Sequence, residues 1–328
     1  MSNPKSADYP KLVVSRQEEE IEAPDQGFTC VRIAELFSPR KLAFDLYLRL
    51  GEGSYLRVFR AGENFDEKEL RAYEAERGVR YVYFEKSNRA SFIASSLALL
   101  KKITPLAGVP LQTKFGVTRN LCELYVQTLF DADNEMLPEL VKEGREICSA
   151  VAAWLQAQPG LERFLFELEY SDASVSAQAF LTGIFACVMA NRFPWKSRRM
   201  NENLLLASLL ADLGQKIFPR ELQRLRPKRM NAQQKREFKR HPEDSYLMLS
   251  GLGVEGLNET VLTIIREHHE YCDGSGFPKA LTADRMLQLS KLVVLCGDLV
   301  RASSEFLLPP GEAAKMMFPD FKIVRAHV

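Results

Sequence analysis

Residues 266–281 read REHHEYCDGSGFPKAL, and the rest of the chain is best interpreted outward from them. The chain of 328 residues has only four histidines, and two stand side by side here, His268-His269, between Glu267 and Glu270. A third, His241, opens the run His241-Pro-Glu-Asp, while His327 sits at the end of the sequence and is incidental. Scarce imidazoles gathered beside carboxylates in one half of a chain are the raw material of a shared metal or phosphate site. The plainer reading is that a histidine pair ending a helix interacts with the helix dipole. The glycines that follow, in Asp273-Gly274-Ser275-Gly276-Phe277-Pro278, either end that helix in a turn or present a recognition loop.

Composition narrows the class. Hydrophobic residues make up 46% and charged residues 27%, ordinary for a globular chain and too apolar for extended disorder. Lys+Arg 44 against Asp+Glu 43 leaves a net charge of +1, which removes any bulk-charge case for coating a nucleic-acid polymer or a membrane surface. No apolar run approaches the ~20 residues needed to span a bilayer. The first twenty residues turn acidic where a signal peptide would be apolar, so the cytoplasm is the expected compartment. Six cysteines (Cys30, Cys122, Cys148, Cys187, Cys272, Cys296) include no CxxC pair and are expected to be small buried hydrophobes. Only Cys272, in the glycine-rich stretch, is a candidate for exposure.

Five segments are expected along the chain. Residues 1–26 are polar, carry the acidic block Glu18 to Glu20, and read as a flexible tail. Residues 27–90 form a small α+β regulatory or interaction module. Its strands are Ala43 to Leu50 and Tyr55 to Arg60 around a Gly51-Glu52-Gly53 turn, then a charged helix capped by Asp66 and stopped by Gly78, then a strand over Val79 to Phe84. Residues 91–160 hold linking helices at Ser91 to Ile103, Arg119 to Phe130 and Leu137 to Gln156. These either join modules, pair with a second copy, or pack on their own chain. Residues 161–310 are helical, with helices near 172–191, 201–210, 231–250, 258–270 and 284–305, and 311–328 is a C-terminal tail. The fold class is therefore mainly α, a helical bundle behind a small α+β module. The basic stretch Arg220 to Arg240, with Arg224 and Arg226 among its charges, reads as a solvated helix face or as a docking surface for phosphates.

The run REHHEYCDGSGFPKAL resembles the signature of the HD-GYP family, His-His-Glu followed by Asp-Gly-x-Gly-Tyr-Pro. Three further stretches resemble that family's landmarks: LLADLGQKIFP at 209–219, KRHPEDSYLML at 239–249 and LSKLVVLCGD at 289–298. The spacings between Asp212 and His241, His241 and His268, and His269 and Asp298 are 29, 27 and 29 residues. The resemblance covers roughly residues 165–305. It implies an HD-type helical bundle, two or three bound metal ions, and hydrolysis of cyclic di-GMP. In such a site, paired cations acidify a bridging water and clamp the phosphodiester, and imidazole with carboxylate suits Fe, Mn or Zn.

By that resemblance the metal ligands are Asp212, His241, His268, His269 and Asp298. Asp273, Gly274, Gly276, Phe277 and Pro278 form the ligand- or partner-binding loop. The match is incomplete. Ala211 stands where the histidine of the His-Asp pair belongs, Ser174 where the first ligand histidine falls, and Gln215 in place of a lysine, with Lys216 turned about 100° away on a helix. Phe277 replaces the tyrosine of the signature, and Arg301 stands where an aspartate commonly follows the last ligand. The missing imidazoles belong to one metal, so one divalent ion is expected to remain and the second site to be lost. Three readings follow. The first is a degenerate member that acts by binding, with cyclic di-GMP, a related nucleotide, a GGDEF-type diguanylate cyclase or a second copy of itself as candidate partners. The second is a working phosphodiesterase with a rebuilt site using Glu167, Glu169 or Asp172. The third is a ligand-free scaffold.

Overall fold

The computed structural model describes residues 27–33, 36, 43–51, 53–63, 73–75, 78–168, 172–194, 196–223, 225, 227–254 and 257–317. The expected tail at 1–26 and most of the charged helix opened by Asp66 lie outside them. The chain divides into two compact units, one of residues 1–103 and 107–121, the other of residues 104–106 and 122–328.

The first unit contains a four-stranded antiparallel sheet of β1 (Phe28–Arg32), β2 (Leu46–Gly51), β3 (Ser54–Phe59) and β4 (Tyr81–Glu85), in the order β1-β4-β2-β3. β2 and β3 form the hairpin signalled by Gly51 and Gly53. β1 was not foreseen: FTCVR is too short to announce itself, and it becomes a strand by pairing along the whole of β4. Alternate residues point inward, Val31, Leu46, Leu48, Val82 and Phe84 among them, so one face of the sheet is dry. Helix α1 (Arg89–Ile103) covers that face, with Phe92 stacked on Phe84 at a centroid distance of 5.1 Å. Gly78 stops the preceding helical turn. Its φ is +65°, and its amide donates to the Glu74 carbonyl, the 5→1 bond of an αL cap, while the Val79 amide donates to the Tyr73 carbonyl.

Helices follow: α2 (Leu111–Asp131), α3 (Leu137–Gln156), α4 (Leu161–Phe166), α5 (Val175–Ala190), α6 (Arg198–Leu210), α7 (Ala232–Phe238), α8 (His241–Ser250), α9 (Glu259–Glu267), α10 (Gln288–Phe306) and α11 (Pro310–Met317). The fold is mainly α with a small N-terminal sheet, as expected from the sequence. α5 is the centre of the second unit. Its sequence VSAQAFLTGIFACVMA is apolar on all sides, and α6 and α10 pack against it. α3 buries the stripe Leu140, Val141, Ile147, Val151 and Leu155 and packs against α6 of the same unit, as its own-chain packing role requires.

Three boundaries differ from the expectations. The helix expected over 119–130 begins at Leu111, directly after Pro110. The helix expected over 231–250 is two helices, because Pro242 has no amide to continue a ladder and is accommodated only in the first turn of a new helix. Beyond residue 310 the chain continues as α11, packed on α10 and α4, and residues 318–328 lie outside the described set.

Gly144, in the middle of α3, has a packing reason to be there. A Cβ at that position would lie 2.1 Å from the Tyr125 hydroxyl, which is fully buried and donates to the Leu140 carbonyl at 2.9 Å. Glycine to alanine in a helix ordinarily gains about 1 kcal/mol. Here overpacking and the displaced hydroxyl should reverse the sign, so Gly144→Ala should lose about 2–4 kcal/mol in urea unfolding. A variant more stable than the parent would contradict this packing account.

Candidate metal centre

Asp212 lies just past the end of α6, where Ala211 caps the helix and the chain enters a 3-10 turn, Leu213–Ile217. That turn sits directly on the first residues of α8. The Gly214 amide donates to the Ser245 hydroxyl at 2.7 Å, and the same hydroxyl donates to the Ala211 carbonyl at 2.7 Å. A Cβ on Gly214 would stand 2.4 Å from the His241 carbonyl oxygen, so only glycine permits this approach. The result brings Asp212 to His241, with Oδ1 3.2 Å from Nε2. His268 caps the C-terminus of α9 and places its own Nε2 3.8 Å from the same oxygen. His269 follows and completes a group of four whose ligand atoms all lie within 4.8 Å of one another.

The orientation of two imidazoles is set from behind. His241 Nδ1 lies 2.7 Å from the Phe238 carbonyl, and His268 Nδ1 lies 2.6 Å from the Ile265 carbonyl, both at the ends of preceding helices. A carbonyl can only accept, so both Nδ1 atoms carry protons, and in the neutral form each ring turns an Nε2 lone pair inward. Those two Nε2 atoms are 3.1 Å apart in a buried site. Two lone pairs so placed cannot satisfy each other, whereas a cation between them and Asp212 satisfies all three. A backbone carbonyl behind each ring is also the usual support of a metal-ligating histidine. These four side chains can hold a divalent ion.

Electrostatics keep the donors in ligating form. Burial opposes ionisation of Asp212, but the His241 and His268 rings against it, when their Nε2 atoms carry protons, outweigh that and hold its carboxyl well below the usual range. Burial pushes His241 below the ordinary histidine range despite Asp212. Burial, with the neighbouring His268, His241 and Arg301, pushes His269 well below it. Deprotonated donors are what a metal requires.

The fifth expected ligand is not in this group. Asp298, on α10, accepts from the Arg301 guanidinium one turn along and from the Tyr271 hydroxyl at 3.2 Å. The positions where the HD-GYP pattern lacks its residues hold other functions. Ser174 is the N-cap of α5, its hydroxyl accepting from the Ala177 amide at 3.3 Å. Ala211 is buried. Gln215 donates its amide to Asp212 Oδ1. Lys216 points away and donates to the Leu129 and Ala132 carbonyls at the end of α2. Of the carboxylates considered as replacements, Glu167 is exposed and pairs with Arg163 at 2.9 Å, Asp172 accepts from the Ser174 amide at 2.9 Å, and Glu169 lies outside the described residues.

The loop after the histidine pair is built, not slack. The fully buried Glu270 accepts from the amides of Lys279 at 2.5 Å and Leu281 at 2.8 Å, and Glu267 accepts from Leu287 at 3.0 Å. Asp273 accepts from the Ser275 amide at 2.9 Å and bridges Thr282 across the loop, and Gly274 takes a φ of +78°. Gly276 passes so close to Glu270 and Tyr271 that a Cβ would lie 2.3 Å from the Tyr271 nitrogen. Phe277 is half-buried, its ring stacked on His269 at 4.6 Å, and its amide donates to the His269 carbonyl. Pro278 joins Phe277, Lys239 and Leu247 around an open cleft beside the histidines. Cys272 is buried with Leu281, Met286 and Val294, because the closed loop covers it. Of the basic stretch, Lys228 pairs with Glu305 and Lys239 lies over the Phe277 ring, while Arg224 and Arg226 lie outside the described residues. The bracing roles of Glu267 and Glu270 were missed, although burial of charged residues in an apolar helix end was the available signal.

Residues 168–317 match the HD domain family. Over 142 residues, 43% of this chain, the sequence is 28% identical to the cyclic di-GMP phosphodiesterase response regulator RpfG of Xanthomonas campestris pv. campestris (strain 8004). Residues 168–317 thus match an HD domain, and the HD-GYP-like signature at 266–281 lies inside it. The match spans only 36% of that relative's length. In fold, the chain resembles Bd1817, a HDG"Y"P protein from Bdellovibrio bacteriovorus, with a TM-score of 0.68 at 19% identity over 90% of this chain and 94% of that one. The two expectations the matches carry, an HD-GYP signature and a helical HD bundle, both hold. No helix among the described residues is long and apolar enough to cross a membrane.

Glu270 offers a test of the site's scaffold. Glu270→Ala leaves two amides unpaired and should cost about 3 kcal/mol, with hydrogen-exchange protection lost at Lys279 and Leu281. Glu270→Gln, which keeps acceptor oxygen, should cost less. Unchanged protection in the alanine variant would show that the loop is held by something else.

Proposed function

We propose that the HD-GYP domain holds a single divalent transition metal (Fe, Mn or Zn) on Asp212, His241, His268 and His269, and acts mainly by binding cyclic di-GMP or a related nucleotide, with hydrolysis lost or weak. One observation carries this reading: two Nε2 atoms, each with its Nδ1 proton committed to a carbonyl, lie 3.1 Å apart beside Asp212, while the carboxylate expected to serve a second ion is bonded to Arg301. A bound divalent ion would polarise a phosphoryl oxygen and lower the pKa of a bound water. His241 and His268 orient toward it, His269 is kept neutral, and Phe277 covers one face of His269. The Lys239–Pro278 cleft would admit the nucleotide next to these rings. With one cation instead of two, stabilisation of attacking and leaving oxygens falls by several kcal/mol, and each 1.36 kcal/mol is tenfold in rate. A GGDEF-type cyclase is the proposed protein partner, through the exposed Asp273–Ser275 edge of the loop, with the N-terminal module as the regulatory element and the cytoplasm as the compartment.

Elemental analysis, cyclic di-GMP calorimetry and a turnover assay on the full chain test this. About one ion per chain is expected, lowered by His268→Ala or Asp212→Ala, with nucleotide bound and little hydrolysed. The triple reversion Ser174→His, Ala211→His, Gln215→Lys should restore turnover where single changes do little, since parts of a metal site act together. Two firmly bound ions with substantial wild-type turnover would favour the rebuilt phosphodiesterase, and absence of both metal and nucleotide would leave only the scaffold.

A further inference from the structure

The half-site without imidazoles is not an empty remnant. Arg301 lies one turn beyond Asp298 on α10, and its guanidinium donates to Asp298 Oδ1. The Tyr271 hydroxyl donates to the same oxygen at 3.2 Å. The side chain folds back along its own helix over Gly297, where a Cβ would already lie 3.4 Å from Arg301 Nη1 and 3.8 Å from the methyl of Thr182 on α5. The guanidinium thus packs in ordinary contact over the preceding turn of its own helix. About a third of the Arg301 side chain is exposed and only 15% of the Asp298 side chain, so this carboxylate is enclosed with its cation. The charge of Arg301 reaches the metal cluster as well, since His269 and Asp212 both sense it. The other carboxylate, Asp212, receives the Gln215 amide.

We propose that Arg301 is the resident cation of this half-site: it takes Asp298 as its own counter-ion and keeps a second metal ion out. This rests on the single-metal reading above and deepens it. An Arg–carboxylate contact is a charge-assisted bond whose cation cannot be titrated away. A divalent ion approaching Asp298 must displace that bond and meet a like charge at close range, because the guanidinium is paired to the same carboxylate oxygen the ion would need. Loss of the imidazoles alone would leave a weak second site, whereas loss with a fixed cation leaves none. The one-ion stoichiometry is thereby actively maintained.

The test uses the full chain, equilibrated with excess manganese and desalted, with bound metal measured by elemental analysis and coupling between ions by electron paramagnetic resonance. Arg301→Gln keeps the stem and its packing, and Arg301→Asp adds a carboxylate. Both are expected to take up more manganese than wild type, approaching one additional ion per chain in the aspartate variant with a spin-coupled signal, while Arg301→Lys should match wild type. Asp298→Asn, nearly isosteric and less prone to misfold, should leave wild-type metal content unchanged, because Asp298 serves Arg301 and not the ion. No increment in either Arg301 variant, or loss of metal in Asp298→Asn, overturns the proposal. A wild type without metal would sink the single-ion reading but not this test, which reads the increment between variant and parent.

Discussion

The geometry of the centre depends on the Ser245 hydroxyl, which joins two segments that the sequence separates by some thirty residues. It accepts from the Gly214 amide and donates to the Ala211 carbonyl, so the turn carrying Asp212 is fastened to the first turn of α8. Such a contact requires backbone against backbone, and Gly214 allows it by having no side chain where His241 and Ser245 stand. Asp212 and His241 are therefore positioned by a structural lock that would exist with or without any ligand. His268 and His269 are delivered separately, by the end of α9, and the buried Glu267 and Glu270 hold that end through the amides of the loop beyond it.

The positions that depart from the HD-GYP pattern show how a helical fold absorbs the loss of ligands. A histidine replaced by Ser174 becomes an N-cap, an interaction worth ~1 kcal/mol that an imidazole would not supply as well. Lys216 caps the C-terminal carbonyls of α2, where a cation also suits the helix dipole. Arg301 pairs with Asp298. Ser174 and Arg301 thus supply local interactions where the pattern has other residues, Gln215 bonds Asp212, and Ala211 is simply buried. Two of the three imidazoles, His241 and His268, are tied to helix-end carbonyls, while His269 is stacked by Phe277.

Much of the fold was legible because its signals are local. Helical periodicity placed α3 almost to the residue, and glycines placed the β2–β3 hairpin and the stop at Gly78. β1 was invisible because a five-residue strand is specified by its partner β4, and the break before α8 was hidden because Pro242 fits a first helical turn as readily as a loop. At the site, spacing and resemblance picked out Asp212, His241, His268 and His269, which the fold does bring together. Asp298 was grouped with them by resemblance, yet its environment is decided by Arg301 and Tyr271, a pairing that no spacing rule announces. The glycine-rich loop did not announce where Phe277 would lie; Gly274 and Gly276 let the loop turn back and lay its ring on His269.

The convergent lone pairs of His241 and His268 also bear on stability. A buried polar group without a partner costs about 1–3 kcal/mol, and here two acceptors face each other beside a carboxylate. A fold that keeps such an arrangement needs a compensating cation or tolerates a strained centre. Gln215 offers only one amide to Asp212, and Arg301 is committed to Asp298, so neither relieves the imidazoles. An ion bound by the folded chain and not by the unfolded one adds RT ln(1 + [L]/Kd), about 2.7 kcal/mol at a hundred times Kd. The α6–turn–α8 lock and the end of α9 meet at this ion's ligands, so the stabilisation would be shared by both halves of the HD bundle. On the proposed reading, a single-ion centre would then be retained for what it contributes to the fold and to ligand binding, without the chemistry of two ions.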